Sequence, residues 1–186
     1  MSDTQGGTTR LEIRFSGSGG QGILLAAAIV AEAATALGKH VVQTQSYGPA
    51  ARGGASKAEA IIADEEIDYP EVDTPDVSLC LSQEAYEKYA GDTRPGGLLV
   101  YDSGLVEPDD SLPGRTLRGI PFTQAAAEHL KKTVVANIVA VGALVEISGM
   151  VPAEAAEAAV AGRVPERFRE LNVEAFRLGR RLAAEA

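Results

Sequence analysis

Short stretches in which apolar and polar residues alternate recur along the chain, and such alternation is typical of half-buried β-strands. Leu11–Phe15 and Ser56–Ala63 show it, and other short apolar stretches have the length and residue types of strands. The pattern therefore predicts six strands, of which the last is the weakest: Leu11–Phe15, His40–Ser46, Ser56–Ala63, Val77–Leu81, Leu98–Tyr101 and Thr116–Ile120.

Longer stretches that are rich in Ala and Leu, or apolar on most sides, predict helices. Thr123 is expected to cap one of them, and Pro152 lies near the start of another. The last helix carries an apolar stripe of Phe168, Leu171, Ala175, Leu178 and Leu182, which we expect to dock on the core. The predicted helices are Ile23–Leu37, Gln83–Tyr89, Thr123–Lys131, Val134–Ser148, one that follows Pro152, and Pro165–Ala184.

The order of these elements indicates an α/β fold. The first sixty residues give a strand, a Gly-rich turn, a buried helix and a second strand, which is the usual opening of a parallel sheet. We predict a single Rossmann-like domain over residues 11–186, with a mostly parallel sheet flanked by helices and the C-terminal helix docked on it. Residues 1–10 are polar and are expected to form a disordered tail.

Composition excludes several classes of protein. The formal net charge of −9 disfavours nucleic-acid binding, because neutralising phosphates requires clustered Lys and Arg. The one cysteine, Cys80, cannot by itself form an internal disulfide, an iron–sulfur cluster or a zinc ribbon. No apolar stretch is long enough to span a membrane and the N-terminus lacks a signal-peptide core, so a cytoplasmic location is expected. Residues 59–110 are strongly acidic, which is typical of solvated loops but also fits an interface for a basic partner subunit.

Gly17, Gly19 and Gly22 satisfy the GxGxxG pattern between a strand and a helix. Free N–H groups at the start of such a helix favour an anion such as phosphate. A dinucleotide site also needs an acidic residue at the end of the second strand, but that strand ends in Gln43–Ser46 without one. Dinucleotide binding is therefore the less favoured reading. A phosphate-type ligand and close packing of the turn against neighbouring protein stay open as alternatives.

A second Gly-rich segment, Tyr47–Gly54, follows the second predicted strand. The carboxyl end of a strand in a parallel sheet is where α/β proteins place ligands. Arg52 could bind a phosphate or carboxylate there, or pair with a nearby acidic residue. The candidate ligand- or interface-binding residues are Gly17, Ser18, Gly19, Gly20, Gln21, Gly22, Tyr47, Gly48, Pro49, Arg52, Gly53, Gly54 and Asn137.

These two segments together, Phe15–Gly22 and Tyr47–Ser56, resemble the gamma subunit of 2-oxoacid:ferredoxin oxidoreductases, including the gamma domain of pyruvate:ferredoxin oxidoreductase. The resemblance continues to Asn172–Gly179, and thus covers nearly the whole chain. Ala50 departs from it, since the family often has Glu at this position.

The resemblance implies a subunit that has no activity alone. This subunit would support the thiamine-diphosphate-dependent oxidative decarboxylation of a 2-oxo acid, such as pyruvate or 2-oxoglutarate, to an acyl-CoA. Thiamine diphosphate, Mg²⁺ and iron–sulfur clusters would then lie in partner alpha, beta and delta subunits. Ferredoxin would be only an indirect partner, and coenzyme A a co-substrate whose access the gamma subunit helps to shape. The chain is expected to bind no metal, and in isolation it could form a homodimer. The alternative is a free-standing Rossmann-like module that binds a nucleotide or coenzyme A.

Other residues with reactive side chains are expected to be structural. Cys80 lies in an apolar strand, where burial would raise its pKa and make it inert. His40 and His129 lack ligand-like partners at helical spacing. Asp102, at the end of a strand, is expected to cap or form a turn, and Asn137 to bond the Gly-rich turn or the Tyr47–Gly54 segment.

Overall fold

The computed structural model of the chain describes residues 10–46, 54–109 and 112–186. The predicted tail lies outside these residues except for Arg10, which is instead the first residue of a strand. Its guanidinium donates a hydrogen bond of 2.9 Å to the carbonyl oxygen of Tyr69, and this contact anchors the start of the strand.

The described residues form one six-stranded sheet, in the order β2-β3-β1-β4-β5-β6. All six predicted strands are present, with shifts of at most a few residues at their ends. Their bounds are β1 (Arg10–Ser18), β2 (His40–Ser46), β3 (Ala55–Ala63), β4 (Val77–Cys80), β5 (Leu98–Asp102) and β6 (Thr116–Ile120).

Strand direction confirms an α/β fold but gives a mixed sheet. β1, β4, β5 and β6 are joined by parallel pairings, whereas β3 is antiparallel to both β1 and β2. β2 therefore runs in the same direction as β1 without being its neighbour, because β3 lies between them. The order of elements alone could not reveal this insertion, since it does not show that the consecutive strands β2 and β3 pair antiparallel.

The described part of the chain also contains six α-helices: α1 (Ile23–Ala36), α2 (Gln83–Tyr89), α3 (Phe122–Leu130), α4 (Ala136–Ser148), α5 (Ala153–Arg163) and α6 (Arg169–Glu185). Two predicted helices begin with a separate turn of 3₁₀ helix, at Thr133–Val135 and at Glu166–Phe168. Thr123 does not cap α3 as predicted. It is the second residue of that helix, and its backbone N–H and hydroxyl both donate to Asp102 Oδ2, at 3.0 and 2.6 Å.

The two faces of the sheet are covered unequally. Ile13 and Phe15 of β1 lie in the main core with α1, α4, α5 and α6, and both are fully buried. Alternate strand positions point to the other face, where Cys80 and Leu99 pack with Tyr86 of α2. The helices of the main core also meet the carboxyl ends of β1 and β4, and this end of the sheet carries the candidate site.

The C-terminal helix docks on the core as predicted, through an unusually close contact between α4 and α6. A Cβ atom at Gly142 would overlap the carbonyl oxygen of Phe176, and one at Gly179 would overlap that of Val139. The predicted stripe is only partly buried. Ala175 and Leu178 are buried, but Phe168 lies before the helix and is 43% exposed.

None of the helices in the described ranges combines the length and hydropathy needed to cross a bilayer.

Candidate functional site

The Gly-rich turn joins β1 to α1 at the carboxyl end of the parallel strands. Gly20 and Gly22 have φ values of +88° and +71°, which are left-handed conformations that favour glycine. Gly19 and Gly20 are exposed, and a Cβ atom at either would meet no atom within 4 Å. One side of the turn is therefore open to a ligand or to another protein.

The inner side of the turn is filled by Gln21. Its Oε1 atom accepts a hydrogen bond of 2.6 Å from the backbone N–H of Ser18, and its Nε2 atom donates one of 2.7 Å to the carbonyl oxygen of Leu81. A Cβ atom at Gly17 would lie 2.6 Å from the same Oε1 atom. Gln21 therefore ties the turn to the end of β4, and the Ser18 amide is satisfied within the chain.

Asn137, the second residue of α4, packs against the end of the turn. The residue is 5% exposed. Its Nδ2 atom donates a hydrogen bond of 3.1 Å to the carbonyl oxygen of Gly22. The expected bond between Asn137 and the Gly-rich turn is thus confirmed. Gly17 and Gly22 serve close packing, which supports the packing alternative for these two positions.

A half-open groove of about 450 Å³ runs from the turn to the start of α6, and we call it the α1–α6 groove. Its walls are mainly apolar: Leu25, Val134, Val164, Pro165, Phe168 and Leu171. Val134 is 79% exposed, which is unusual for a valine. This groove lies within the size range of small-molecule sites.

Four polar features meet the apolar walls of the groove. Asn172 is 7% exposed, and its Nδ2 atom donates a hydrogen bond of 2.8 Å to the carbonyl oxygen of Phe168. Asn137 also lines the groove, so each asparagine retains a carbonyl oxygen for a further donor. Lys132 supplies a positive charge. The N-terminus of α1 reaches the groove at Gly22 and is not capped by a side chain.

A smaller cavity of about 260 Å³ lies on the other side of Gly20 and Asn137. Leu105, which is 44% exposed, and Val134 line it with Gln21 and Thr123. The Gly-rich turn thus separates two hollows, and Val134 lies between them.

The residues of the second Gly-rich segment, Tyr47, Gly48, Pro49, Arg52 and Gly53, lie outside the described residues. Gly54 is described and directly precedes Ala55, which is paired in register with Ser18 at the end of β1. The end of the segment therefore returns to the sheet beside the Gly-rich turn. The roles assigned to Arg52 and its neighbours stay predictions.

Asp102 and Cys80 have structural surroundings, as predicted. The Asp102 carboxylate is buried and accepts hydrogen bonds from the backbone N–H groups of Gly104 and Thr123. Burial raises the pKa of the Cys80 thiol to about 11, although the Ser16 hydroxyl at 3.4 Å and the Arg14 charge oppose the shift. The thiol is therefore protonated and shielded at neutral pH.

A buried ionic cluster was not predicted from the sequence. Arg14 is 2% exposed, and its guanidinium donates to Glu59 over 2.7 Å, to Asp92, and to the carbonyl oxygen of Val72 over 2.7 Å. Lys57 Nζ also lies 2.9 Å from Glu59. Arg14 of β1 and Glu59 of β3 are paired in register. The cluster could therefore be predicted only if that strand pairing were already known.

Metal ligation finds no support in the residues that the structure describes, since they contain no group of three His, Cys, Asp or Glu placed to hold an ion.

Comparisons with known proteins agree on one family. Residues 12–182 match the family model described as pyruvate ferredoxin/flavodoxin oxidoreductase. The chain is 49% identical to the 2-oxoglutarate synthase subunit KorC of Methanocaldococcus jannaschii over 95% of both chains. Identity to the pyruvate synthase subunit PorC of Methanothermobacter marburgensis is lower, at 29% over 90% of this chain and 94% of that one.

Solved structures of related proteins share the fold. The keto/oxoacid ferredoxin oxidoreductase gamma subunit of Geobacter sulfurreducens is 47% identical, with a TM-score of 0.83, over 95% of this chain and 99% of that one. A 2-oxoglutarate:ferredoxin oxidoreductase from Magnetococcus marinus, solved with 2-oxoglutarate, coenzyme A and succinyl-CoA bound, is 30% identical with a TM-score of 0.86. The match covers 95% of this chain but 31% of that one, so the equivalent unit there is part of a longer polypeptide.

Proposed function

Because the chain belongs to the pyruvate ferredoxin/flavodoxin oxidoreductase family, we propose that it is the gamma subunit of a 2-oxoglutarate:ferredoxin oxidoreductase. The choice of substrate rests on one observation, which is the difference in sequence identity between two groups of relatives. The chain is much closer to 2-oxoglutarate synthase subunits than to pyruvate synthase subunits of similar length. This subunit does not act alone and works within a multi-subunit enzyme.

The reaction that the assembled enzyme performs is the oxidative decarboxylation of 2-oxoglutarate. The bond between C1 and C2 breaks and releases CO₂, while the coenzyme A sulfur bonds to C2 to give succinyl-CoA. The thiol releases a proton, and two electrons pass to two one-electron acceptors. Thiamine diphosphate in a partner subunit supplies the chemistry at C2, and iron–sulfur clusters in partner subunits carry the electrons.

The residues of this chain fit a supporting role in that reaction. The one cysteine is buried and protonated, so it is suited neither to nucleophilic attack nor to binding a cluster. We assign thiamine diphosphate with its Mg²⁺, and the iron–sulfur clusters, to alpha, beta and delta partners. Ferredoxin then contacts a partner subunit and not this chain.

We further propose that the α1–α6 groove lines the access route of coenzyme A. The pantetheine arm of coenzyme A is a flexible chain of apolar and amide groups, and the groove matches it with apolar walls and two buried asparagines. Lys132 and the uncapped N-terminus of α1 favour the anionic phosphate end. Arg52, which lies outside the described residues, is proposed to add a further cation for that end of coenzyme A.

Val134 offers a direct test of the groove because it is 79% exposed and can be changed without disturbing the core. Val134→Asp in the assembled enzyme should raise the KM for coenzyme A about tenfold and leave the KM for 2-oxoglutarate unchanged. The matched control is Leu37→Asp, since Leu37 is a 45% exposed residue that follows α1 at its other end. Equal KM values for coenzyme A in both variants, with normal assembly, would refute this role of the groove.

Co-expression with candidate alpha, beta and delta subunits from the same organism tests the assignment as a whole. We expect a stable complex that reduces an artificial acceptor with 2-oxoglutarate and coenzyme A, and at least tenfold more slowly with pyruvate or 2-oxoisovalerate. A complex that prefers pyruvate would overturn the substrate and leave the subunit role intact. If no complex formed and NAD stabilised the isolated chain at micromolar concentration, the free-standing nucleotide-binding alternative would replace the proposal.

A further inference from the structure

We infer that Asn137 and Asn172 determine the specificity of the α1–α6 groove, because their side-chain oxygens accept hydrogen bonds from the two amide N–H groups of coenzyme A. This assignment rests on the proposed function, since coenzyme A must pass along the groove for it to hold. It goes further by naming the groups of the ligand that the chain recognises and the protein atoms that recognise them.

Asn137 and Asn172 are the only asparagines in the sequence. One is the second residue of α4 and the other is the fourth residue of α6, yet both line the same groove. They are 5% and 7% exposed. Asparagine is a poor residue within a helix, and burying an incompletely bonded amide costs further stability. Two such side chains in one apolar groove therefore point to a ligand with matching polar groups.

The orientation of each amide is fixed by a bond that its nitrogen makes. Asn137 Nδ2 donates to the carbonyl oxygen of Gly22 over 3.1 Å, and Asn172 Nδ2 donates to that of Phe168 over 2.8 Å. Reversing either amide would place its oxygen against a carbonyl oxygen, which cannot donate. No hydrogen bond from a described residue reaches either Oδ1 atom, and neither atom is sealed from solvent. Each asparagine therefore offers the groove a fixed acceptor.

The two helices that carry these acceptors are held firmly to each other. A Cβ atom at Gly142 of α4 would overlap the carbonyl oxygen of Phe176, and one at Gly179 of α6 would overlap that of Val139. Packed helices usually lie about 8–10 Å apart, and contacts this close place α4 and α6 near or below the lower limit. The spacing between the two acceptors is therefore set by the fold before a ligand binds.

The pantetheine arm of coenzyme A has the complementary groups. It carries two secondary amides, whose nitrogen atoms are separated by three carbons and lie about 5 Å apart when the arm is extended. Most of the remaining arm is methylene groups, which suit apolar walls such as Leu25 and Leu171. A chain without N–H groups would leave the two acceptors unpaired, and the groove would therefore select against it.

Analogues of coenzyme A test this recognition in the assembled wild-type enzyme. In each of two analogues, one pantetheine amide N–H group is replaced by a methylene group and the thiol is unchanged. We expect either replacement to raise the KM for the thiol substrate about tenfold and to leave the KM for 2-oxoglutarate unchanged. Equal KM values for coenzyme A and both analogues would overturn the inference, and this measurement requires no variant chain.

Asn172→Ala then identifies the acceptor. This residue is preferred to Asn137 because its own bond lies within one helix, whereas Asn137 fixes the Gly-rich turn. We expect the variant to raise the KM for coenzyme A about tenfold and to lose its discrimination against one of the two analogues. The matched control, Val134→Ala, removes an apolar contact of the groove and no hydrogen bond, so it should raise all three KM values by the same factor. If Asn172→Ala still discriminates against both analogues, the inference is wrong.

These measurements separate the inference from the proposed function. If only the hydrogen bonds are misassigned, Val134→Asp still raises the KM for coenzyme A, but the wild type uses all three thiols equally. If coenzyme A does not use the groove, Val134→Asp and Asn172→Ala both leave that KM unchanged, and both assignments fail. Equal use of all three thiols, with an Asn172→Ala chain that folds but does not join the complex, would assign the two oxygens to the main chain of a partner subunit instead.

Discussion

The side-chain amide of Asn137 donates a hydrogen bond of 3.1 Å to the carbonyl oxygen of Gly22, a residue 115 positions earlier in the chain. The same carbonyl accepts the first bond of α1, from the backbone N–H of Ala26 at 3.1 Å. The starts of α1 and α4 are therefore fixed against each other at one atom. This contact sets the shape of the turn that separates the two hollows of the candidate site.

Gly22→Ala should destabilise the protein by about 2–4 kcal/mol, because φ is +71° and the added Cβ atom would overlap the Asn137 amide. Gly19→Ala is the matched control in the same turn. No atom lies within 4 Å of its Cβ position, so the free energy of unfolding should change by less than about 0.5 kcal/mol. Urea denaturation of both variants measures the difference. Similar losses at the two positions would show that the Asn137 contact does not shape the turn.

Arg14→Met should cost about 3–5 kcal/mol of stability, because it leaves the buried Glu59 carboxylate without its main partner. Arg181→Met removes one member of an exposed ion pair with Glu174 and should cost less than about 0.5 kcal/mol. Chemical denaturation of the two variants checks the contrast. A loss below 1 kcal/mol for Arg14→Met would mean that the cluster is hydrated and not buried.

Glycine-to-alanine changes in the C-terminal helices should affect stability very differently at different positions. Gly179→Ala introduces a Cβ atom into the backbone of α4, and we expect a loss of at least about 3 kcal/mol. At Gly162, in α5, the nearest atom is 3.9 Å from the Cβ position, so alanine should be neutral or stabilise by up to about 1 kcal/mol. Thermal unfolding distinguishes the two. A neutral Gly179→Ala would contradict the close contact between α4 and α6.

Stability should fall between about pH 9 and pH 11 because of Cys80. Its pKa is raised from 9.0 to about 11 in the folded chain, so the folded state holds the thiol proton more tightly than the unfolded state does. The contribution is fully present below pH 9 and is lost as pH rises to 11, with a total of about 2–3 kcal/mol. Cys80→Ala should flatten the decline measured by denaturant titration across this range. An unchanged slope in that variant would assign the pH dependence to other groups.

The fold was largely predictable from local pattern, because each strand and helix carries its own periodicity. The insertion of β3 between β1 and β2 was not predictable, because the alternation of residues within a strand does not determine which strands pair with each other. Arg14 illustrates the same limit. It occupies an ordinary polar position in an alternating strand, and only its register with Glu59 explains why it is buried.

The candidate site was predictable in part. The Gly-rich turn and Asn137 could be singled out by residue type, because a glycine cluster and an amide in an apolar helix are both unusual. Val134 and Phe168 were assigned to buried helix faces, yet both precede the regular helices, in 3₁₀ turns, and line the α1–α6 groove. A periodic pattern does not show where an α-helix gives way to a 3₁₀ turn. The exposure of these two side chains was therefore visible only in the structure.

The central claim is that this chain is a required gamma subunit of an enzyme acting on 2-oxoglutarate, and omission of the subunit tests it most directly. Alpha, beta and delta partners should be produced with and without this chain, and CO₂ release and succinyl-CoA formation from 2-oxoglutarate measured in each preparation. We predict that the full complex forms succinyl-CoA with a 1:1 yield of CO₂. The preparation without this chain should lose at least about 90% of that activity and recover it when the purified chain is added. Full activity without the chain, or no gain on adding it back, would contradict the account.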